Sequence, residues 1–174
     1  MTEHGIKMAA VVVFLAAGFS LIPRGIRSCD AGTHEDAPNF HASIVANAPV
    51  ADQKSLELNE LHGKPVVLDF WATWCGPCNV SAPIVNSIAQ RYRDRGLVVV
   101  GVNVDDEPAL VPRFVQKKNL TFPIVFDDGK AISRDYGATT LPTLVVVGKD
   151  GKIAAVRHGV TSESDLDALV KRVL

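Results

Sequence analysis

The feature that most constrains this chain is local: a buried-strand pattern runs almost directly into a cysteine pair that opens a helix. Pro65-Val66-Val67-Leu68-Asp69-Phe70 is a short apolar run rich in β-branched residues, the pattern of a strand covered on both faces. Cys75-Gly76-Pro77-Cys78 follows, and beyond it Val80, Ile84, Val85, Ile88 and Ala89 recur near helical spacing. The spacing predicts a helix from Cys78 to Tyr92.

Downstream, strand and helix signals keep alternating. Leu97 to Val104 and Phe122 to Phe126 read as strands on either side of a helix from Pro108 to Lys118. Thr143 to Val147 and Lys152 to Arg157 are joined by Gly148-Lys149-Asp150-Gly151, a hairpin signal. Ser162 caps a last helix carrying Leu166, Leu169 and Val170. The order β-α-β-α-β-(short α)-β-β-α predicts an α/β fold, a central mixed β-sheet flanked by helices.

The chain has 174 residues, 47% of them hydrophobic, enough for one core that needs no disulfide staples. Its formal net charge of -1 gives no basic face for nucleic acid. At the other end of the chain, Met8 to Pro23 contains no charged residue. That stretch is close to the length of a spanning helix and also suits the apolar region of a signal peptide. We read residues 1–26 as an N-terminal signal or anchor segment, with the uncleaved anchor preferred. Lys7 flanks it on one side and Arg24 and Arg27 on the other, so flanking charge does not set the orientation. Residues 27–50 read as a linker and irregular lead-in, and 51–174 as the folded domain.

There are three cysteines, too few for a disulfide scaffold. Cys29 stands alone in the lead-in and reads as an unpaired accessory thiol or an intermolecular pairing site. Cys75 and Cys78 are placed for redox chemistry. The attacking species in disulfide exchange is a thiolate, and a helix N-terminus, with its free N–H groups and positive dipole end, favours that charge. Cys75, at the helix entrance, is the expected nucleophile. Cys78, one turn in, is the expected resolving thiol. Pro77 is tolerated because early helix positions need no N–H partner. Asp69, inside a buried strand six residues before Cys75, is expected to have a raised pKa and to serve as a general base. The alternative is a hydrogen-bonded carboxylate at the end of the strand. Trp74 is expected to shield the dithiol and offer an apolar contact, and Trp71 to pack against the start of the helix; the alternative for either is a plain core aromatic. The charged runs Arg91-Tyr92-Arg93-Asp94-Arg95 and Lys117-Lys118 read as solvated helix ends.

The segment Phe70-Trp71-Ala72-Thr73-Trp74-Cys75-Gly76-Pro77-Cys78 resembles the active-site segment of the thioredoxin superfamily. Pro83 matches the proline of that family's active-site helix. Gly137-Ala138-Thr139-Thr140-Leu141-Pro142-Thr143 resembles its cis-proline loop, and Gly151 and Gly159 match the turn glycines after it. The resemblance covers about residues 55 to 174. It implies a thioredoxin-like fold, a cis Pro142, and a loop ahead of it whose backbone pairs with an extended substrate, with Leu141 tuning which substrates dock. Gly76 and Pro77 would then complete the substrate contact. Thioredoxin carries a lysine beside its buried aspartate, where Gly101 stands here, so that family's proton-relay details do not carry over.

The apolar N-terminus, Ala37-Pro38-Asn39-Phe40, and the extra stretch from Val104 to Asp135 together resemble the membrane-anchored, extracytoplasmic TlpA and ResA type. The expected activity is therefore disulfide reduction in extracytoplasmic proteins, apocytochromes among them. The partners implied are disulfide-bearing proteins and a membrane electron donor, with the chain held to the membrane by its N-terminal segment. No cofactor or metal is expected, because none of the five histidines stands at ligand spacing from the cysteine pair. A thiol peroxidase would place its cysteine in a Pro-x-x-x-Thr-x-x-Cys setting, which is absent around Cys75. A non-enzymatic binding module would have little use for Asp69, Trp74 and Pro142 arrayed around an intact dithiol.

Overall fold

The computed structural model describes residues 35–104 and 107–174, so Met8 to Pro23, Cys29 and the reading of both lie outside the described residues. Seven strands form one sheet, in the order β2 (Ser55–Glu57), β1 (His41–Ala46), β5 (Ile124–Phe126), β4 (Val98–Asn103), β3 (Val66–Trp71), β6 (Thr143–Val147) and β7 (Ile153–His158). In its interior, all six residues of β3 are buried, as the apolar run predicts. Strand β4 (Val98–Asn103) pairs with it in parallel, and β6 (Thr143–Val147) antiparallel on the other side. Beyond β6, β7 (Ile153–His158) closes the hairpin. Strand β5 (Ile124–Phe126) extends the parallel side. The sheet is thus mixed, and its middle is a run of Val, Leu and Ile, suited to a surface buried on both faces.

The lead-in differs from expectation. Residues 27–50, read as irregular, contain β1 (His41–Ala46), which pairs antiparallel with β5 and with the short β2 (Ser55–Glu57). Its exposure pattern alternates only at the start, so the period-2 signal that identifies a half-buried strand is weak. Pairing with β5, about 80 residues on in the chain, holds it in place. Further upstream, Ala37 N–H donates to Gly151 O and Ile153 N–H to Glu35 O. Tyr136 Oη donates to Pro38 O at 2.6 Å.

Helices lie on both faces, and successive side chains of β3 show which is which, since they alternate across the sheet. Trp71 stacks on Phe114 of α2 (Val111–Lys118), ring centroids 4.6 Å apart. Phe70, facing the other way, meets Tyr136 just after α3 (Ala131–Asp135) at 5.6 Å. Trp71 is thus a buried core aromatic that stacks on α2. Helix α1 (Gly76–Tyr92) packs against α4 (Glu163–Val173). Arg91, exposed as expected, joins them: it pairs with Glu163, and with Asp167 at 2.9 Å. Tyr92 is buried and donates to Asp167 at 2.7 Å. Ser162 caps α4 as expected, its hydroxyl accepting from Asp165 N–H. Among the described residues no helix is long and apolar enough to cross a membrane.

Candidate active site

The site forms where β3 ends and α1 begins. Cys75 is the N-cap of α1, in extended conformation, and Cys75 N–H donates back to Ala72 O at 3.2 Å. Its sulfur accepts from Cys78 N–H at 3.2 Å, so the first sulfur satisfies one of the free donors of the helix. Asn79 Nδ2 donates to Cys75 O at 3.1 Å. Pro77 lies in the first turn, where its missing N–H costs nothing. Cys75 and Cys78 are bonded as a disulfide with Cα atoms 5.3 Å apart. Both are buried, but they face differently. Cys75 lines an open groove of about 360 Å³ and Cys78 does not.

That groove gathers several of the residues singled out in the sequence. Trp74, Gly76, Pro77 and Leu141 line it with Cys75. Trp74 is 69% exposed, a large indole left in water beside the sulfur. Pro142 sits behind Leu141, buried, and the Leu141–Pro142 peptide is cis. The loop is held from behind: Gly159 N–H donates to Pro142 O at 2.7 Å. Thr143 Oγ1 donates to Thr140 O at 2.7 Å and lies 3.0 Å from His158 Nδ1. The single hydroxyl proton is used on Thr140, so His158 Nδ1 carries the hydrogen that Thr143 accepts. Among the described residues Leu141 makes no backbone hydrogen bond, which leaves its N–H and C=O free for an extended segment.

Asp69 is in the middle of β3, 3% exposed, and its Oδ1 has no hydrogen-bond partner. Burial alone pushes its carboxyl up to about 7, because the charged form loses water and gains nothing in exchange. A hydrogen-bonded carboxylate at the strand end does not describe it. Directly opposite on β4 stands Gly101. A Cβ there would lie 2.6 Å from Ile124 Cδ1, 3.0 Å from Trp71 Nε1 and 3.1 Å from Phe122. The space that a lysine stem would need is filled by Trp71, Phe122 and Ile124.

Five other lining residues, Val104, Lys130, Ser133, Ala138 and Thr139, were not picked out as site residues from the sequence. Ala138 and Thr139 could have been, by their nearness to Pro142. Val104, Lys130 and Ser133 come from distant segments and carry no local signal.

A vicinal cysteine pair that exchanges two electrons with a disulfide, one sulfur facing outward and its partner sheltered behind, is the working part of a thiol–disulfide oxidoreductase, and the sheet beneath it is thioredoxin-like. Residues 33–170 match the Redoxin family model, and the chain belongs to that family. It is 33% identical over 139 residues to the thiol-disulfide oxidoreductase ResA of Bacillus thuringiensis (strain Al Hakam), a match spanning 80% of this chain and 77% of that one. Among solved structures it resembles a thiol:disulfide interchange protein of the thioredoxin family from Chlorobium tepidum. That likeness has a TM-score of 0.69 and 26% identity, and covers 79% of this chain and 94% of the other. A secreted disulfide oxidoreductase of Mycobacterium tuberculosis, described as homologous to Escherichia coli DsbE, superposes with a TM-score of 0.66. Its identity is 26%, covering 76% of this chain and 95% of that one.

Proposed function

We propose that this oxidoreductase works as a reductant of disulfides in proteins outside the cytoplasm, with apocytochromes among its substrates. The Cys75 thiolate attacks one sulfur of the substrate disulfide and the other sulfur leaves as a thiolate. Cys78 then attacks Cys75 in the mixed disulfide, releasing the second substrate thiol and closing the Cys75–Cys78 bond. Two electrons pass to the substrate in each cycle, and two protons accompany them. A membrane electron donor then reduces the pair again, and the apolar segment from Met8 to Pro23 holds the domain at the membrane.

The observation that carries this reading is the split environment of the pair, with Cys75 on the groove and in the donor field of α1, and Cys78 behind it. Asp69, with a carboxyl near 7, is matched to taking the Cys78 proton at neutral pH. Trp74 and the free backbone of Leu141 supply an apolar contact and a strand-like edge for the substrate. Gly-Pro between the cysteines resembles reducing thioredoxin, at about −270 mV, rather than oxidants near about −120 mV.

The test is the reduction potential of the Cys75–Cys78 pair, measured by equilibration in glutathione and dithiothreitol buffers. A value below about −240 mV is expected. A value above about −160 mV would overturn the reductive direction and place the protein in oxidative disulfide formation.

A further inference from the structure

We propose that Lys130 is a specificity-determining residue, selecting substrate disulfides that have a carboxylate side chain next to the reacting cysteine. The inference deepens the reductase reading above and rests on it.

Lys130 is the charged residue among those lining the groove beside Cys75, in the described residues. The other walls are apolar or neutral: Trp74, Pro77, Val104 and Leu141, with Thr139 and Ser133. An ammonium among such walls gives this part of the groove a sign, and a sign discriminates partners mainly through encounter and register.

The backbone at Lys130 gives a second, independent reason. Lys130 has φ 60° and ψ 31°, in the left-handed region, and Gly129 before it is also left-handed. Glycine is the inexpensive residue for that conformation, and a lysine there is strained. The segment is nevertheless held in one shape. The Asp127 carboxylate accepts from Ile132 N–H and Ser133 N–H, both at 2.8 Å. Lys130 N–H donates to Asp127 O, and Ser133 Oγ donates to Lys130 O, each at 3.2 Å. A long cationic side chain is thus carried, at a conformational cost, on a pinned turn at the groove wall.

A groove of this volume spans on the order of 9 Å, two to three residues of extended chain. A segment paired with Leu141 and presenting its disulfide to Cys75 therefore brings the residues next to its cysteine within reach of Lys130. Substrates with Glu or Asp at those places are favoured, and those with Lys or Arg are disfavoured.

The experiment uses the reduced protein and three disulfide-linked peptide pairs, identical except for Glu, Gln or Lys beside the cysteine. Each reduction rate is divided by that of the same peptide with dithiothreitol, a neutral dithiol, which removes the peptides' own reactivity. The expected order is Glu, Gln, Lys, with about threefold to tenfold between the extremes at low ionic strength. The preference should collapse near about 0.5 M salt. Lys130→Glu should invert the order. Lys130→Gly, which suits the left-handed backbone and so should fold, should erase it. Equal normalised rates for the three peptides, or a preference that persists in Lys130→Gly, overturn the role of Lys130 and leave the reductase reading standing. A wild-type protein that reduces none of the peptides overturns the reductase reading itself.

Discussion

Asp69 and Gly101 face each other across the β3–β4 ladder, and the absence of a side chain on Gly101 is what allows Trp71, Phe122 and Ile124 to close over that point. A carboxyl buried without a cation opposite is held up by desolvation alone. The same packing that forbids a lysine at position 101 therefore leaves Asp69 near neutrality, the range that the proposed role as proton acceptor requires.

Asp69 makes folding stability depend on pH with a definite sign. Its folded carboxyl titrates near 7 against an ordinary 3.8, so the folded state binds the proton more tightly. The stabilisation is full below about pH 4 and is lost as pH rises through 7. The loss is on the order of 4 kcal/mol. Asp69→Asn should flatten this slope and be the more stable protein above about pH 8. Denaturant titrations of both oxidised proteins at about pH 5 and about pH 9 measure it. Equal slopes in the two proteins would show that Asp69 is not protonated near neutrality.

Gly101→Val should destabilise the domain by about 1–3 kcal/mol through overpacking, because rigid rings of Trp71 and Phe122 stand where the new carbons must go. Thermal unfolding by circular dichroism checks this, with loss of near-ultraviolet tryptophan signal as the local marker. An unchanged Tm would mean that β4 can shift away from Trp71 at no cost.

The two cysteines should differ in what their loss does. Cys75→Ser should abolish reduction of insulin in the presence of dithiothreitol. Cys78→Ser should retain attack and accumulate a mixed disulfide with substrate, visible by mass spectrometry of the acid-quenched reaction. Trapping by Cys75→Ser in place of Cys78→Ser would reverse the assignment of nucleophile and resolving thiol.

Trp74 is mostly in water, so Trp74→Ala should change stability by no more than about 0.5 kcal/mol. Loss of its contact with substrate should lower kcat/KM for a protein disulfide by about tenfold, with less effect on a small disulfide. A large fall in Tm instead would make Trp74 a packing residue.

The junction of α1 and α4 has the opposite pH sign to Asp69. Asp167 accepts from Arg91, Tyr92 and Lys171, and its carboxyl is held well below the usual carboxylate range, chiefly by the hydrogen bond from Lys171, then by those from Tyr92 and Arg91. The stability it gives is present above its unfolded pKa and is lost as pH falls below that range. Asp167→Asn should lower Tm at neutral pH and lose less stability on acidification than the wild type. Differential scanning calorimetry from about pH 7 down to about pH 3 distinguishes the two curves.

Much of the site was legible because its chemistry is contiguous. Cys75, Gly76, Pro77 and Cys78 sit on one strand–helix junction, and a junction of that kind is written in hydrophobic periodicity and in a proline placed where no N–H is needed. Leu141 and Pro142 were found through the resemblance of their loop, and the structure brings Leu141 to the same groove. Strand β1 was missed because its six residues do not alternate cleanly and its partner is distant. Tyr92, which is buried, was read as solvated with its neighbours because a charged run at a helix end usually is. Nothing local announces that Asp167 waits across the gap on α4.

The sequence by itself determined the layered α/β architecture, the buried central strand, the dithiol at a helix start and the hairpin near the C-terminus. Each of these follows from interactions between residues close together in the chain. What the sequence left open, and long-range packing settles, is how Trp71, Phe122 and Ile124 fill the space over Gly101, and which distant residues, Lys130 among them, wall the groove beside Cys75. Those properties depend on where water is excluded and which side chains meet across the sheet, and both are fixed by the packing of segments that are far apart in sequence.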